Sequence, residues 1–578
     1  MMPSLNRRSF LQNVSSGIIG AAVSSGRAWA EDAPAGAAGT ATQRPPNILL
    51  IITDDQGYGD LGCHGNPILK TPHLDRLHEE SVRFTRFHTC PVCSPTRACL
   101  MTGRYNYRTG VVDTYAGRSM MDPEEKTIAA LLKNAGYTTG IFGKWHLGDT
   151  WPLRPIDRGF DESLVHRGGG IAQPSDPEFF VRQDTYFNPM LQHNGRQERY
   201  PGYCSDIFAT AALAFMETHR ERPFFTYLAF NAPHTPLQVP EEDVAPYNLP
   251  GLNEETARVY GMITNTDYHI GRVLKGLSDM GLERDTIVLF ITDNGAQQLA
   301  GNDRYTAGLR GWKGSVYDGG IRVPCFIRWP NGFSGGRDID RIAAAIDITP
   351  TLLSLCAVSL NEGPAFDGVT LAPLLRESPA ALPWPDRTLF FQWHRGNMPE
   401  AFKNSAVRKQ RWKLVNGTEL YDMSGDPAEE RDVAPLHPEI VKELRDAYLN
   451  WFQDVGSTRG YGPVRIHLGS EQENPVVLTR QDARDAANWT SKQAGGFWEI
   501  RVEETSEYDV TVLFDAPVET AILFLKLGEK EIQQAVAPGE SNAVLKHLHW
   551  NAGDYRLECR IVSGDSKTSP QFIQVFRK

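Results

Sequence analysis

Cys93, Pro95 and Arg97 stand at alternate positions in Pro91-Val92-Cys93-Ser94-Pro95-Thr96-Arg97-Ala98-Cys99-Leu100-Met101-Thr102-Gly103. Pro95 suits the first turn of a helix, because its missing N–H costs nothing there. Ser94, just before it, is a good N-cap. The spacing therefore predicts a helix opening beside Cys93, with Arg97 on its first turn. Such an N-terminus presents free N–H groups and about half a positive charge. A nucleophile held between a helix N-terminus and a guanidinium suits chemistry on a tetrahedral oxyanion. Taken alone, Cys-x-Pro-x-Arg also fits a buried thiol beside a turn, and Cys90-Pro91-Val92-Cys93 also fits a dithiol redox pair.

Two acidic pairs rhyme across the chain: Ile52-Thr53-Asp54-Asp55 and Ile291-Thr292-Asp293-Asn294. Adjacent buried carboxylates repel unless a cation joins them. Four hard oxygen ligands without His or thiolate favour Ca²⁺ or Mg²⁺ over zinc. The candidate acids and bases are Lys144 and His146 in Gly143-Lys144-Trp145-His146, His234 in Pro233-His234-Thr235-Pro236, and Lys313 in Gly311-Trp312-Lys313-Gly314. A positioned acid or base is typically worth 10²–10⁴-fold in rate, about 3–5 kcal/mol of barrier.

These residues need elements that bring them together. Apolar runs at Asn47 to Thr53, Thr138 to Phe142, Phe224 to Phe230 and Thr286 to Thr292 alternate with helical patterns from Pro45 to Leu375. That alternation predicts an α/β domain over 45–375 around a mainly parallel sheet. Each run ends on candidate site residues, and in open α/β sheets ligands sit beyond the carboxyl ends of the strands. Within residues 376–455 the pattern changes to short apolar runs at Leu389 to Trp393 and Trp412 to Val415, followed by a helix from Pro438 to Asp454. Gly456 to Pro463 reads as a linker. Residues 464–578 alternate as a β-sandwich, with strands at Trp498–Val502, Tyr508–Phe514, Ala521–Leu527 and Tyr555–Ile561. Its exposed aromatic candidates are Trp489, Trp498 and Trp550. A sugar-binding accessory module and a packing module fit this segment equally, and in either case it should be dispensable for the chemical step.

The net charge is −11, with no basic run after the N-terminus, which argues against nucleic acid as a partner. Asn6-Arg7-Arg8-Ser9-Phe10-Leu11-Gln12 resembles a bacterial twin-arginine export motif, and Ala28-Trp29-Ala30 is a cleavage site. Residues 1–30 are thus expected to be a signal peptide and 31–44 a tether, which places the mature protein in the periplasm or outside the cell without a stable membrane anchor. Export would allow some of the eight cysteines to pair.

The thirteen residues around Cys93 resemble the first sulfatase signature, and Gly136-Tyr137-Thr138-Thr139-Gly140-Ile141-Phe142-Gly143-Lys144-Trp145-His146 resembles the second. The resemblance spans about Pro45 to Val455. It implies an alkaline phosphatase-like α/β fold, a small C-terminal antiparallel α+β subdomain over 376–455, and hydrolysis of a sulfuric ester. It implies that Cys93 is oxidised to Cα-formylglycine by a formylglycine-generating enzyme and that its hydrate is the nucleophile. It also implies Ca²⁺, in preference to Mg²⁺, on Asp54, Asp55, Asp293, Asn294 and position 93. It gives Arg97, Lys144, His146, His234 and Lys313 catalytic parts, with Lys144, His234 and Lys313 also gripping sulfate. The leaving alcohol is not written in these motifs. Candidates to read it are Asp161, His166, Arg167, Gln297, Asp303, Arg304, Arg310 and Trp312, with His166 and Arg310 foremost. Export plus an accessory β-module points to a sulfated sugar. A phosphonate or phosphodiester hydrolase of the same superfamily and a non-catalytic carbohydrate-binding protein are the competing readings.

Overall fold

The unbroken apolar run of Asn47–Thr53 forms a fully buried strand inside a ten-stranded mixed sheet. Five strands run parallel side by side, in the order Thr286–Thr292, Asn47–Thr53, Phe224–Ala229, Thr138–Lys144 and Glu162–His166. Helices cover the faces, which is why these strands read as continuous hydrophobic segments rather than alternating ones. Among the covering helices, Cys204–Thr218 packs on the strands Thr138–Lys144 and Phe224–Ala229, and Glu254–Asp279 packs against it in turn. Antiparallel strands extend both edges, Cys325–Arg328 on one side and Met190–His193 and Arg196–Arg199 on the other. In this computed structural model the residues described are 44–578, without 172, 177–181, 183, 302, 360–364, 377–383 and 486–494. The expected signal peptide and Trp489 lie outside them. Among the described residues no helix is long and apolar enough to cross a membrane.

A four-stranded antiparallel sheet follows, built from Leu389–Gln392, Ser405–Arg408, Trp412–Val415 and Glu419–Asp422. The helix Pro438–Ser457 buries Leu444, Tyr448, Trp451 and Val455. Their spacing of four, three and four makes one helical stripe. Pro438 occupies the first helical position, where its ring is preorganised. The helix runs past Asp454 and takes in Gly456 and Ser457, so the expected linker begins inside it.

The last part is two packed sheets. One joins Ile466–Leu468, Trp498–Val502, Gly553–Ser563, Ala521–Leu527 and Lys530–Val536, and the other joins Val476–Thr479, Phe572–Arg577, Ser506–Leu513 and Asn542–Trp550. Alternate side chains of Ala521–Leu527 are buried, the signature of a strand with one wet face. Trp498 and Trp550 are not exposed. Both sit in the sandwich core, Trp498 donating to the Thr479 carbonyl at 2.7 Å and Trp550 stacked on Tyr508 at 5.0 Å. Met120 and Leu153 of the α/β part belong to that same apolar core. The module is therefore seated on the α/β domain rather than hung from it.

Candidate active site

Strand register gathers the polar residues. Thr53 lies opposite Thr292 and Lys144 opposite His166, so Asp54 and Asp293 leave neighbouring strands side by side. The Asp55 N–H donates to Asp293 Oδ1 at 3.2 Å, and Asn294 Nδ2 donates to Asp55 Oδ1 at 2.8 Å. Asp54 Oδ1 and Asn294 Oδ1 are buried without a hydrogen-bond partner. Ligand atoms of Asp54, Cys93 and Asp293 lie within 4.8 Å of one another, and so do those of Asp54, Asp55 and His234. Desolvated, unsatisfied oxygens are costly alone, and this donor set fits a hard cation.

Cys93 opens the helix Cys93–Thr102, every residue of which is buried. The N-cap is Val92, not Ser94. Ser94 lies already inside the first turn, and its hydroxyl donates to the His146 carbonyl at 2.6 Å, fastening the helix start to the loop after Thr138–Lys144. Burial pushes the Cys93 thiol up, against the pull of Lys144 and Lys313. All eight cysteines are free, and Cys90 Sγ lies 3.7 Å from Cys99 Sγ. The sulfur beside Cys90 is thus that of Cys99, while Cys93 sits among the carboxylates.

Arg97 is fully buried and its donors are engaged. Nη2 and Nε reach Asp293 Oδ2 at 2.8 and 3.1 Å, and Nη1 reaches the Lys144 carbonyl at 3.0 Å. Burial works against its charge, but Asp293 holds its pKa above the ordinary value. Burial and the Asp54 charge raise Asp293 to about 6. Lys144 Nζ contacts Asp54 Oδ2 at 2.5 Å, and Lys313 Nζ contacts Asp55 Oδ1 at 2.7 Å. Burial favours neutral Lys313, yet Asp55 more than reverses this and its ammonium is held. Conversely burial raises Asp55, and Lys313 and His234 bring it below the usual carboxylate range.

Three histidines surround this centre. His146 Nε2 lies 2.8 Å from the Thr114 carbonyl. A carbonyl only accepts, so Nε2 carries the proton and Nδ1, buried and unpartnered, is the free base. Burial, with Lys144 next, holds His146 well below its ordinary pKa. His234 Nδ1 is 2.7 Å from the Thr235 carbonyl and its Nε2 is 3.8 Å from Asp55 Oδ2. Burial and Lys313 lower it to about 3. His166 Nδ1 is 3.0 Å from the Arg167 carbonyl, its Nε2 is buried without a partner, and burial lowers it to about 3. Asp55 and His146 adopt φ of 66° and 61°, uncommon for non-glycine residues and frequent where a site fixes the backbone. Gly143 has φ 121°, and a Cβ there would stand 1.8 Å from the Ala229 carbonyl oxygen. Only glycine lets Lys144 follow at this point.

Other expected readers of the alcohol have structural partners. Asp161 pairs with Lys133 and accepts from the Thr139 N–H. Asp303 accepts from Asn253 N and Thr256 Oγ1 at the start of the helix Glu254–Asp279. Arg304 forks onto buried Asp60 and donates to the Asp55 carbonyl at 2.7 Å, which makes it a positioning residue for Asp55. Arg310 is exposed, its guanidinium 3.9 Å above the Tyr317 ring and bonded to Tyr421 Oη and the Glu429 carbonyl. Its charge is spent on the four-stranded sheet rather than on the carboxylate centre. Gln297 receives Arg304 Nη1 on its carbonyl. His166 is the register partner of Lys144 on the neighbouring parallel strand, and it lines a cavity together with His146 and Arg167.

Sequence motifs did not point to Thr114, to the glycines 168–170, or to Gln481. A Cβ on Gly169 would stand 2.8 Å from His146 Cε1, and one on Gly170 would stand 3.2 Å from His234 Cε1. That loop therefore lies against both rings. Gln481, in the β-module and buried, accepts the N–H groups of Ala116 and Gly117 on its carbonyl at 2.7 and 3.3 Å, and its Nε2 donates to Thr114 O at 3.2 Å. The oxygen that fixes the His146 tautomer is therefore shared with the module. Gln481 and Asp482 also line a cavity beside His146, His166 and Arg167.

The family model described as Sulfatase matches residues 46–358, and one described as N-sulphoglucosamine sulphohydrolase, C-terminal, matches 309–452. The chain is 31% identical to N-acetylgalactosamine-6-sulfatase of Mus musculus over 78% of its own length and 85% of the relative's. It is 31% identical to Arylsulfatase A of Homo sapiens, over 75% and 93%. A crystal structure of Ps i-CgsB in complex with k-i-k-neocarrahexaose superimposes with a TM-score of 0.64 at 30% identity, covering 72% of this chain and 94% of that one. A parallel sheet with its polar residues at the carboxyl edge, the flanking antiparallel sheets and these matches have one explanation: the chain belongs to the sulfatase family, with its alkaline phosphatase-like α/β fold.

Proposed function

We propose that this protein hydrolyses sulfate esters of a carbohydrate, with Cys93 matured to formylglycine and Ca²⁺ held by Asp54, Asp55, Asp293, Asn294 and position 93. The observation that carries this is the placement of Cys93 at a buried helix N-terminus, within 4.8 Å of Asp54 and Asp293 ligand atoms. The cation, when bound, neutralises the clustered carboxylates and polarises sulfate oxygens. Position 93, as a hydrated aldehyde, would supply one hydroxyl that passes its proton to Asp293 as it bonds to sulfur and the alcohol leaves, and a second whose deprotonation would expel sulfate and restore the aldehyde. The remaining work falls to side chains already in place. Lys144 and Lys313 bring two positive charges against the carboxylates and the incoming anion. Lys313, whose ammonium is held by Asp55, gives the leaving alcohol oxygen its proton. His234, whose Nδ1–H is held by the Thr235 carbonyl, donates to a sulfate oxygen through Nε2 once the incoming anion has favoured the protonated ring. His146 Nδ1 takes the proton of the second hydroxyl, with Thr114 holding the tautomer. Arg97 touches no reacting atom in this scheme and orients Asp293 and the Lys144 backbone.

The sugar assignment rests on relatives whose names specify sulfated sugars or a carrageenan oligosaccharide ligand. The export signal would place the enzyme where such polymers occur. The test combines peptide mass at position 93 with sulfate release from a panel of sulfated mono- and oligosaccharides, set against an aryl phosphodiester. An aldehyde-mass peptide with release from at least one sulfated sugar is expected, and Cys93→Ala should abolish release while the protein stays folded. A preference for the phosphodiester would reassign the reaction. An unmodified, inactive Cys93 protein that binds sugar would make it a binding protein.

A further inference from the structure

The loop after the first strand carries a second group of metal-type donors, which shares no residue with the carboxylate centre. Cys63 and His64 lie in the short turn Gly62–His64, and His78 lies on the helix Pro72–Glu80. One ligand atom of each of the three lies within 4.8 Å of the other two. All three are only partly buried, so an ion could reach them from solvent. Of the eight cysteines, Cys63 alone is not buried.

The surroundings orient the donors. His64 Nδ1 is 2.7 Å from the Tyr58 carbonyl, so this nitrogen carries the proton and Nε2 is left with its lone pair. An imidazole whose far N–H is held by a carbonyl is the usual supporting arrangement of a metal-binding histidine. The His64 ring is stacked on Tyr58 at 4.0 Å, and Phe326 sets its ring edgewise to both His64 and His78, at 5.8 and 5.2 Å. The His78 imidazole makes no hydrogen bond among the described residues, although it stands beside a thiol and a second imidazole. Asp75, one turn before His78, accepts the Cys63 N–H at 2.8 Å and the Thr71 hydroxyl at 2.9 Å. Its carboxylate adds a negative charge at the edge of the cluster.

We propose that Cys63, His64 and His78 form a second cation site, which takes a borderline divalent ion of the zinc class with water in the fourth position. One sulfur and two imidazole nitrogens suit Zn²⁺ or Co²⁺ and are poor ligands for Ca²⁺. This separates the site from the oxygen-lined centre in metal preference as well as in place. Binding releases the Cys63 thiol proton to solvent as the metal–sulfur bond forms. The thiolate and Asp75 together balance the ion's charge.

The test uses the full chain carrying Cys93→Ala, saturated with Ca²⁺, so that neither the active-site thiol nor the oxygen site competes. Co²⁺ titration should give one equivalent of tetrahedral cobalt with a sulfur-to-cobalt charge-transfer band, displaced by Zn²⁺. Cys63→Ser should remove that band. His78→Ala, on a helix surface, should weaken binding by about tenfold or more. In parallel, Zn²⁺ should slow alkylation of Cys63, read by peptide mass, in protein with no change at the ligand residues. A charge-transfer band that survives Cys63→Ser, or an alkylation rate unchanged by saturating Zn²⁺, would overturn the assignment. Neither readout depends on sulfatase turnover.

Discussion

Deleting the β-module, residues 464–578, should damage catalysis, although every motif residue lies before it. The route is the segment 114–117. Three hydrogen bonds join it to Gln481, two from backbone N–H groups and one to the Thr114 carbonyl. At roughly 1 kcal/mol each they contribute about 3 kcal/mol of local order. Met120 and Leu153 also lose their cover, since they pack in the sandwich core; exposing each costs about 1.5–3 kcal/mol. The Thr114 carbonyl holds the proton of His146 Nε2 at 2.8 Å. Once that segment is free, His146 Nδ1 is no longer fixed as the base, and a positioned base is worth 10²–10⁴-fold. The truncated protein should therefore lose at least about a hundredfold in kcat on a small aryl sulfate. Gln481→Ala removes only one of the three bonds and should cost about 1 kcal/mol, roughly fivefold, with the acidic limb of the pH profile, which reports a base, altered more than KM. The assay is steady-state hydrolysis of the aryl sulfate across pH, on variants shown by circular dichroism to be folded. A soluble, folded truncation with kcat within a few-fold of the parent would refute this chain of contacts.

Removal of the cation should lower activity and thermal stability together, because a ligand at a hundredfold excess over Kd stabilises by ~2.7 kcal/mol; full activity in protein shown metal-free by elemental analysis would contradict the assignment. Arg97→Met leaves the buried Asp293 carboxylate without its partner and should destabilise by about 3–5 kcal/mol in urea unfolding, whereas the double variant Arg97→Met/Asp293→Leu should recover part of that loss. Asp267 accepts the N–H groups of His73 and Leu74 and is raised to about 7 by burial. A carboxyl whose folded pKa lies above its unfolded value of 3.8 loses stability as pH rises between the two, by up to about 4 kcal/mol here. Asp267→Asn should flatten the stability profile between pH 4 and 7; an unchanged slope would place its origin elsewhere.

Much of the site was legible in the sequence because it rests on local rules. Asn47–Thr53 and Thr286–Thr292 are strands at the expected residues, since a fully buried parallel strand must be apolar throughout and ends where polar residues begin. Their ends carry Asp54 and Asp293, and strand register alone sets these abreast. What depended on tertiary structure is everything that joins distant segments. Ser94 looked like an N-cap by residue type, yet its hydroxyl is taken by the His146 carbonyl, 52 positions away. Arg310 and Asp303 looked like substrate readers because they flank the motifs. Their partners, Tyr421 and Glu429 in one case and Asn253 and Thr256 in the other, come from remote segments. Trp498 and Trp550 have the composition of a sugar platform, but only the pairing of two sheets turns them inward. The chain order fixes which residues end each strand. The packing of the module on 114–117 decides which nitrogen of His146 is free, because a hydrogen bond between residues 367 positions apart has no local sequence signature.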